Sequence, residues 1–208
     1  MILQSGAPVA VAGAGAFGSA TALILSRLGF QVTVFDPAAP GDNASGVAAG
    51  MLAPAAEAVF DPVSRGHMPV LRRGRDRWAA FAEGLGIALD RGGLFIEGEP
   101  AFLAEVEAAL VEAGADFSRT PQGLFSDEDW RLDARLALAT LRDAASEAGA
   151  VFDPRAATAF AEGRLTLDDG AVLAFEALVV ATGAGDDGLA PELSALTPIK
   201  GQILRFDA

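Results

Sequence analysis

The chain has no cysteine, no tyrosine and one histidine in 208 residues. Without cysteine there is no disulfide, no thiolate metal site and no cysteine nucleophile. The single histidine, His67, excludes a zinc centre built from several imidazoles. Positive charge is scarce as well, with 15 Lys and Arg against 28 Asp and Glu and a net charge of -13. A surface of that sign repels phosphate backbones and anionic membranes, so no nucleic-acid partner is expected. Long apolar runs are also missing. The one from Ala20 to Leu28 is broken by Ser26 and Arg27, well short of the roughly 20 residues that cross a bilayer. The N-terminal stretch shows no basic region followed by an apolar core and a cleavage site, and the chain reads as cytoplasmic.

What is present is a globular composition, 51% hydrophobic and 21% charged, with 24 glycines. The stretch "VAVAGAGAFGSATALILSRLGFQVTVFD", Val9 to Asp36, has a definite order. Val9, Val11 and Ala12 read as a short strand, and Gly13, Gly15 and Gly18 follow in G-x-G-x-x-G spacing around Ala16 and Phe17. Ala22, Leu25 and Leu28 then recur at helical intervals until Gly29 stops the helix, and a second strand runs from Gln31 to Phe35. Gly13 permits the sharp turn, Gly15 lets backbone approach a pyrophosphate, and Gly18 lets the helix pack on the strand. The helix N-terminus offers free N–H donors to that anion. Asp36, followed by Pro37, is placed to accept from ribose hydroxyls and to repel a 2′-phosphate, which argues against NADP. A bare glycine fingerprint also occurs as plain turn structure; here the strand, helix and acid are all in place, and which dinucleotide is held stays open.

The next segment, "DNASGVAAGMLAP" from Asp42 to Pro54, is small and nearly uncharged. Its composition suits a plain loop as well as close approach to a flat ligand. Together, the fingerprint and "ASGVAAGMLAP" resemble the D-amino-acid oxidase superfamily of flavoproteins, most closely its glycine oxidase branch. The resemblance implies FAD as cofactor, held by Gly13, Gly15, Ala16, Phe17, Gly18, Asp36 and Pro37. It places Ala44, Ser45, Ala48, Ala49, Gly50 and Met51 beside the flavin, with Met51 closest to the reacting face and the catalytic residues otherwise unassigned. Further along, "ALVVATGAG" reads by itself as a core strand ending at a glycine turn. By resemblance Thr182 and Gly183 lie near the dinucleotide and Ala157 near the adenosine.

Asp169-Gly170 between alternating segments marks a hairpin. Arg65, Arg72, Arg73, Arg75 and Arg77 form a basic cluster that reads as the solvated face of an amphipathic helix, because Leu71, Trp78 and Leu85 recur at helical intervals. "GGLFIEGE" reads as a strand and the stretch from Pro100 as a helix closed by Gly114.

The fold expected is α/β, a Rossmann-like FAD-binding domain with a β-meander plus part of a second α+β substrate domain. Residues 1–88 and 148–198 are assigned to the first, and 89–147 and 199–208 to the second. The function implied by the resemblance is oxidation of a small amine or amino acid by hydride transfer from Cα to the flavin. A role in thiamine biosynthesis would follow from the glycine oxidase branch. The resembled family is longer, and its carboxylate-binding arginine and tyrosine partners lie in a part with no counterpart here. A missing C-terminal portion or a homo-oligomer is therefore expected. A non-catalytic dinucleotide-binding fragment and an NAD-dependent dehydrogenase are the competing readings; the small-residue segment and the meander weigh against the dehydrogenase, whose strands and helices should keep alternating.

Overall fold

The computed structural model describes residues 3–184 and 188–197. The assignment of 199–208 to a substrate domain lies outside the described residues. The chain divides into two compact units, residues 1–48 with 134–208, and residues 49–133.

The first unit opens with β1 (Pro8–Ala12), α1 (Ala16–Arg27) and β2 (Gln31–Phe35), then the single-turn α2 (Ala44–Val47). In the second unit follow β3 (Met51–Leu52), α3 (Pro54–Phe60), α4 (Pro62–Arg65), α5 (Met68–Glu83) and β4 (Leu94–Glu97). They continue with α6 (Pro100–Ala113), β5 (Ser118–Arg119), β6 (Gly123–Ser126) and β7 (Trp130–Arg131). The chain then returns to the first unit through α7 (Ala134–Glu147), β8 (Val151–Asp153), β9 (Ala157–Ala161), β10 (Arg164–Leu167), β11 (Val172–Ala174) and β12 (Ala177–Val180).

In the first unit β12-β1-β2-β8 form one parallel sheet, with Val9 opposite both Ala177 and Val32. A continuous apolar run suits β1 because a central parallel strand is covered on both faces. Val9, Ala10, Val11 and Ala12 are all buried. Side chains alternate across a strand, so Ala10 and Ala12 turn to one side, where they pack with Phe35, Leu165, Leu167 and Phe175 of the β11-β10-β9 meander. The Phe35 and Phe175 rings meet edge to face at 5.8 Å. Helices α1 and α7 pack on each other. The α7 stripe Ala137, Leu138, Leu141 and Ala145 is buried, and Gly149 with φ +101 turns the chain into β8.

The second unit has α3, α5 and α6 around Ala55, Ala58, Met68, Val106, Leu110 and Leu124, with the antiparallel sheet β4-β6-β5. Gly114 at φ +63 closes α6 as its position implied. Both tryptophans of the chain, Trp78 and Trp130, belong to this unit. The compact units part at 48/49 and 133/134, whereas the sequence reading drew its boundaries at 88/89 and 147/148. Helix α7 belongs with the parallel sheet because its apolar stripe packs on α1, and α3 and α5 pack among themselves and with α6.

Candidate functional site

The turn from β1 into α1 is governed by three glycines, two of them for steric reasons the structure makes explicit. Gly13 has φ +99, and a Cβ there would collide with the Ala181 carbonyl. At Gly18 a Cβ would run into the carbonyl oxygen of Gly13. Gly15 is extended and unstrained at φ -69, so its role is room: a Cβ would stand 3.0 Å from Ser45 Oγ.

Around this turn lies a cavity of about 410 Å3. It sits at the carboxyl ends of β1, β2 and β12, where open α/β sheets hold ligands. Ala14 N–H donates to Asp36 Oδ2 at 2.6 Å, and Ala38 N–H donates to Oδ1 at 2.9 Å. The carboxylate is thereby oriented from both sides, and each oxygen retains acceptor capacity. Ala16 N–H, at the first turn of α1, donates to Ser45 Oγ at 2.9 Å. Asn43 caps α2, its side chain accepting from Gly46 N–H at 3.0 Å, and Arg135 Nε donates to the Gly46 carbonyl at 3.3 Å. Ser45 is thus held on a braced turn. On the facing wall Thr182 Oγ1 is buried and has no hydrogen-bond partner among the described residues. A buried hydroxyl left without a partner is costly, and its place in the cavity lining fits a polar ligand.

Of the residues singled out in the sequence, Gly13, Gly15, Ala16, Phe17, Asp36, Ala44, Ser45, Thr182 and Gly183 line this one cavity. Phe17 is 86% exposed at its mouth. Gly18 supports the turn from behind. Pro37 is exposed next to Asp36, and Ala157 is buried in the meander core beside Leu165 and Leu167. Ala48 ends the first unit. Ala49, Gly50 and Met51 open the second, where Met51 pairs with Arg131 and is 51% exposed. Thr21, Asn43 and Val179 to Ala181 also line the cavity and were not singled out. Thr21 lies one helical turn beyond Phe17, a spacing that puts them on one face. Asn43 before a run of small residues carries an N-cap signal.

The basic cluster is not a uniformly solvated face. Arg72 donates to Glu128 through Nε at 2.7 Å and Nη2 at 2.5 Å, and Arg75 Nη1 donates to the Glu128 carbonyl at 2.7 Å. Arg65 pairs with Glu112 at 2.7 Å; Arg73 and Arg77 are exposed. The partners come from distant sequence, which helical periodicity does not register. Burial pushes the Glu128 carboxyl up, but the Arg72 hydrogen bonds and the Asp116 N–H outweigh it and hold the group below the usual glutamate range. Next to it burial raises Asp129, opposed by the Ala55 and Ala56 N–H groups that it caps at 2.8 and 2.9 Å at the start of α3. Among the described residues no cluster of acids and histidine is arranged to hold a metal, and no helix is long and apolar enough to cross a membrane.

The family described as FAD dependent oxidoreductase (DAO) matches residues 8–208. Among solved structures, the chain is similar to glycine oxidase from Geobacillus kaustophilus, with a TM-score of 0.73 and 23% identity over 87% of this chain and 56% of that one. It is similar to iminodiacetate oxidase from Chelativorans sp. BNC1, with 0.72 and 22% over 85% and 55%. L-amino acid deaminase from Proteus vulgaris gives 0.64 and 18% over 88% and 49%. The chain therefore spans about half the length of these structures. No curated protein matches it in sequence.

Proposed function

The chain belongs to the FAD dependent oxidoreductase family, and from that premise we propose that its β1–α1 turn holds the pyrophosphate of FAD in an oxidase of small amines or amino acids. The observation that carries the reading is the convergence on one cavity of the α1 N-terminus, the oriented Asp36 carboxylate and the orphaned Thr182 hydroxyl. The α1 N-terminus faces the pyrophosphate, with Ala16 N–H holding Ser45 Oγ beside it, and the positive end of the α1 dipole favours its charge. Asp36 accepts from the adenosine ribose hydroxyls. Ser45 and Thr182 contribute hydroxyl protons. Ala44, Ala48, Ala49, Gly50 and Met51 remain flavin neighbours by resemblance, with Met51 at the reacting face, and Pro37 and Ala157 remain neighbours of the adenosine. When bound, FAD supplies a two-electron acceptor for hydride leaving the substrate Cα.

A second reading is a module that holds FAD without turning over a substrate.

The experiment is a visible spectrum of the purified chain with FAD, before and after anaerobic addition of glycine, sarcosine and D-alanine. Bound flavin that bleaches supports the oxidase; bound flavin that stays oxidised supports the second reading. Gly15→Val is expected to abolish FAD retention while α1 still forms, because φ -69 suits any residue but the added side chain fills the cradle. Full flavin occupancy in that variant would refute the site.

A further inference from the structure

The first unit contains a second concavity, about 390 Å3, that shares no lining residue with the cofactor cavity. It lies between the turn after β2 and the outer side of α7, with Asp42 and Val47 on one wall and Leu138 and Arg142 on the other. Its Arg142 differs from the other part-buried arginines among the described residues. Among the described residues, five arginines are part-buried, and Arg65, Arg72, Arg75 and Arg155 each hold a carboxylate. Arg142 holds none. Its guanidinium lies instead over the Phe152 ring, 4.3 Å from the centroid. That stacking fixes the cation and leaves its N–H fork undirected toward any protein acid.

Asp42, on the opposite wall, likewise has no ion pair among the described residues. Asp42 and Arg142 therefore line one cavity without closing on each other. Arg135 lines it too, its Nε donating to the Gly46 carbonyl, and the apolar part is supplied by Leu138, which is buried, and Val47, which is half exposed. The wall carrying Asp42 and Val47 is braced. Asn43 caps α2, Arg135 Nε holds the Gly46 carbonyl, and Gly46 is buried where a Cβ would strike the Gly41 carbonyl. A site already fixed before binding loses little freedom when a ligand arrives.

We propose that this cavity binds a small zwitterion with an aliphatic body, of the amino acid class, its carboxylate on Arg142 and its ammonium on Asp42. Arg142 suits the carboxylate because a planar guanidinium can donate two parallel hydrogen bonds. Val47 and Leu138 contact the aliphatic part. The proposal is independent of the FAD reading, since none of these residues lines the cofactor cavity.

The test is calorimetric titration of the chain, before FAD is added, with L-valine and with two single-charge controls, isobutyrate and isobutylamine. Saturable binding of L-valine is expected, with both controls weaker by roughly tenfold or more, the size of one lost charge-assisted hydrogen bond. Arg142→Gln and Asp42→Asn should each weaken L-valine by a similar factor, and Arg142→Lys, which keeps the charge but loses the fork, should fall between. FAD binding should be the same in all three variants. The proposal is overturned if L-valine does not bind, if isobutyrate binds as tightly as L-valine, or if both neutralised variants bind L-valine like the parent chain. Should Arg142→Gln unfold the unit by losing its packing on Phe152, Asp42→Asn at an exposed carboxylate still decides the matter.

Discussion

The first unit is held together by an apolar sheet and meander, with Phe35, Leu165 and Leu167 at its centre, and its turn at Gly13 to Gly18 lines a cavity. In the second unit a buried glutamate and aspartate, adjacent in sequence, tie separate elements together. Glu128 gathers Arg72, Arg75 and the Asp116 N–H, and Asp129 caps α3. Arg75 also lies over Trp130, 4.9 Å from its centroid. The contrast assigns the two polar clusters different work. Asp36, Ser45 and Thr182 of the first unit are gathered around a cavity, whereas Glu128 and Asp129 of the second are engaged by arginines and helix N–H groups.

That contrast breaks most visibly at Glu128. Glu128→Ala leaves Arg72 and Arg75 without their buried partner and is expected to destabilise the second unit by about 3 kcal/mol, with FAD binding unchanged. Chemical denaturation of the variant measures the first quantity and a flavin titration the second. A loss of flavin affinity equal to that of a cavity variant would erase the distinction between the clusters.

Gly13→Ala acts on the other side. It places a side chain at φ +99 and against the Ala181 carbonyl, an expected cost of about 2 kcal/mol, and it should release FAD as well. Stability and flavin content of one preparation should fall together.

Acid sharpens the comparison further. Glu128 is held below its ordinary value of 4.5 in the folded chain. The stability it contributes is therefore fully present above that value and is lost as pH falls through the lower folded value. Asp129 has the opposite sign: its raised folded value makes its ionised form unfavourable, and protonation relieves that penalty as pH falls. Denaturation of the parent chain and of Glu128→Gln from pH 7 to 3 should show a gap of about 1 to 2 kcal/mol that closes in acid. A gap independent of pH would mean that the clamp does not depend on the Glu128 charge.

The smallest effect is expected at Thr182. Thr182→Val removes a buried hydroxyl that has no partner among the described residues, so the FAD-free chain should be as stable or gain up to about 1 kcal/mol. Its FAD affinity should nevertheless fall. Melting with and without FAD separates the two.

The first unit was largely legible in the sequence because its signals are local. Glycine spacing, the apolar run of β1 and the acid after β2 lie within 28 residues, from Val9 to Asp36, and the Asp169-Gly170 hairpin joins β10 to β11. The cavity walls contributed by Val179 to Ala181 were harder to see, since a core strand and a ligand-facing strand share one apolar pattern. In the second unit the reading of a solvated face holds for Arg73 and Arg77 but not for Arg72 and Arg75, because Glu128 lies 56 residues from Arg72. Helical periodicity reports one face of one helix and carries no information about a carboxylate brought to it by a distant turn.

The placement of Trp78 and Trp130 has a practical consequence. With no tyrosine and both tryptophans in the second unit, the ultraviolet emission of the chain observes that unit alone, while flavin emission would observe the first. The chain is thus supplied with two separate optical reporters without any label. A heating experiment recorded in both colours would reveal whether the two units melt as one or in sequence.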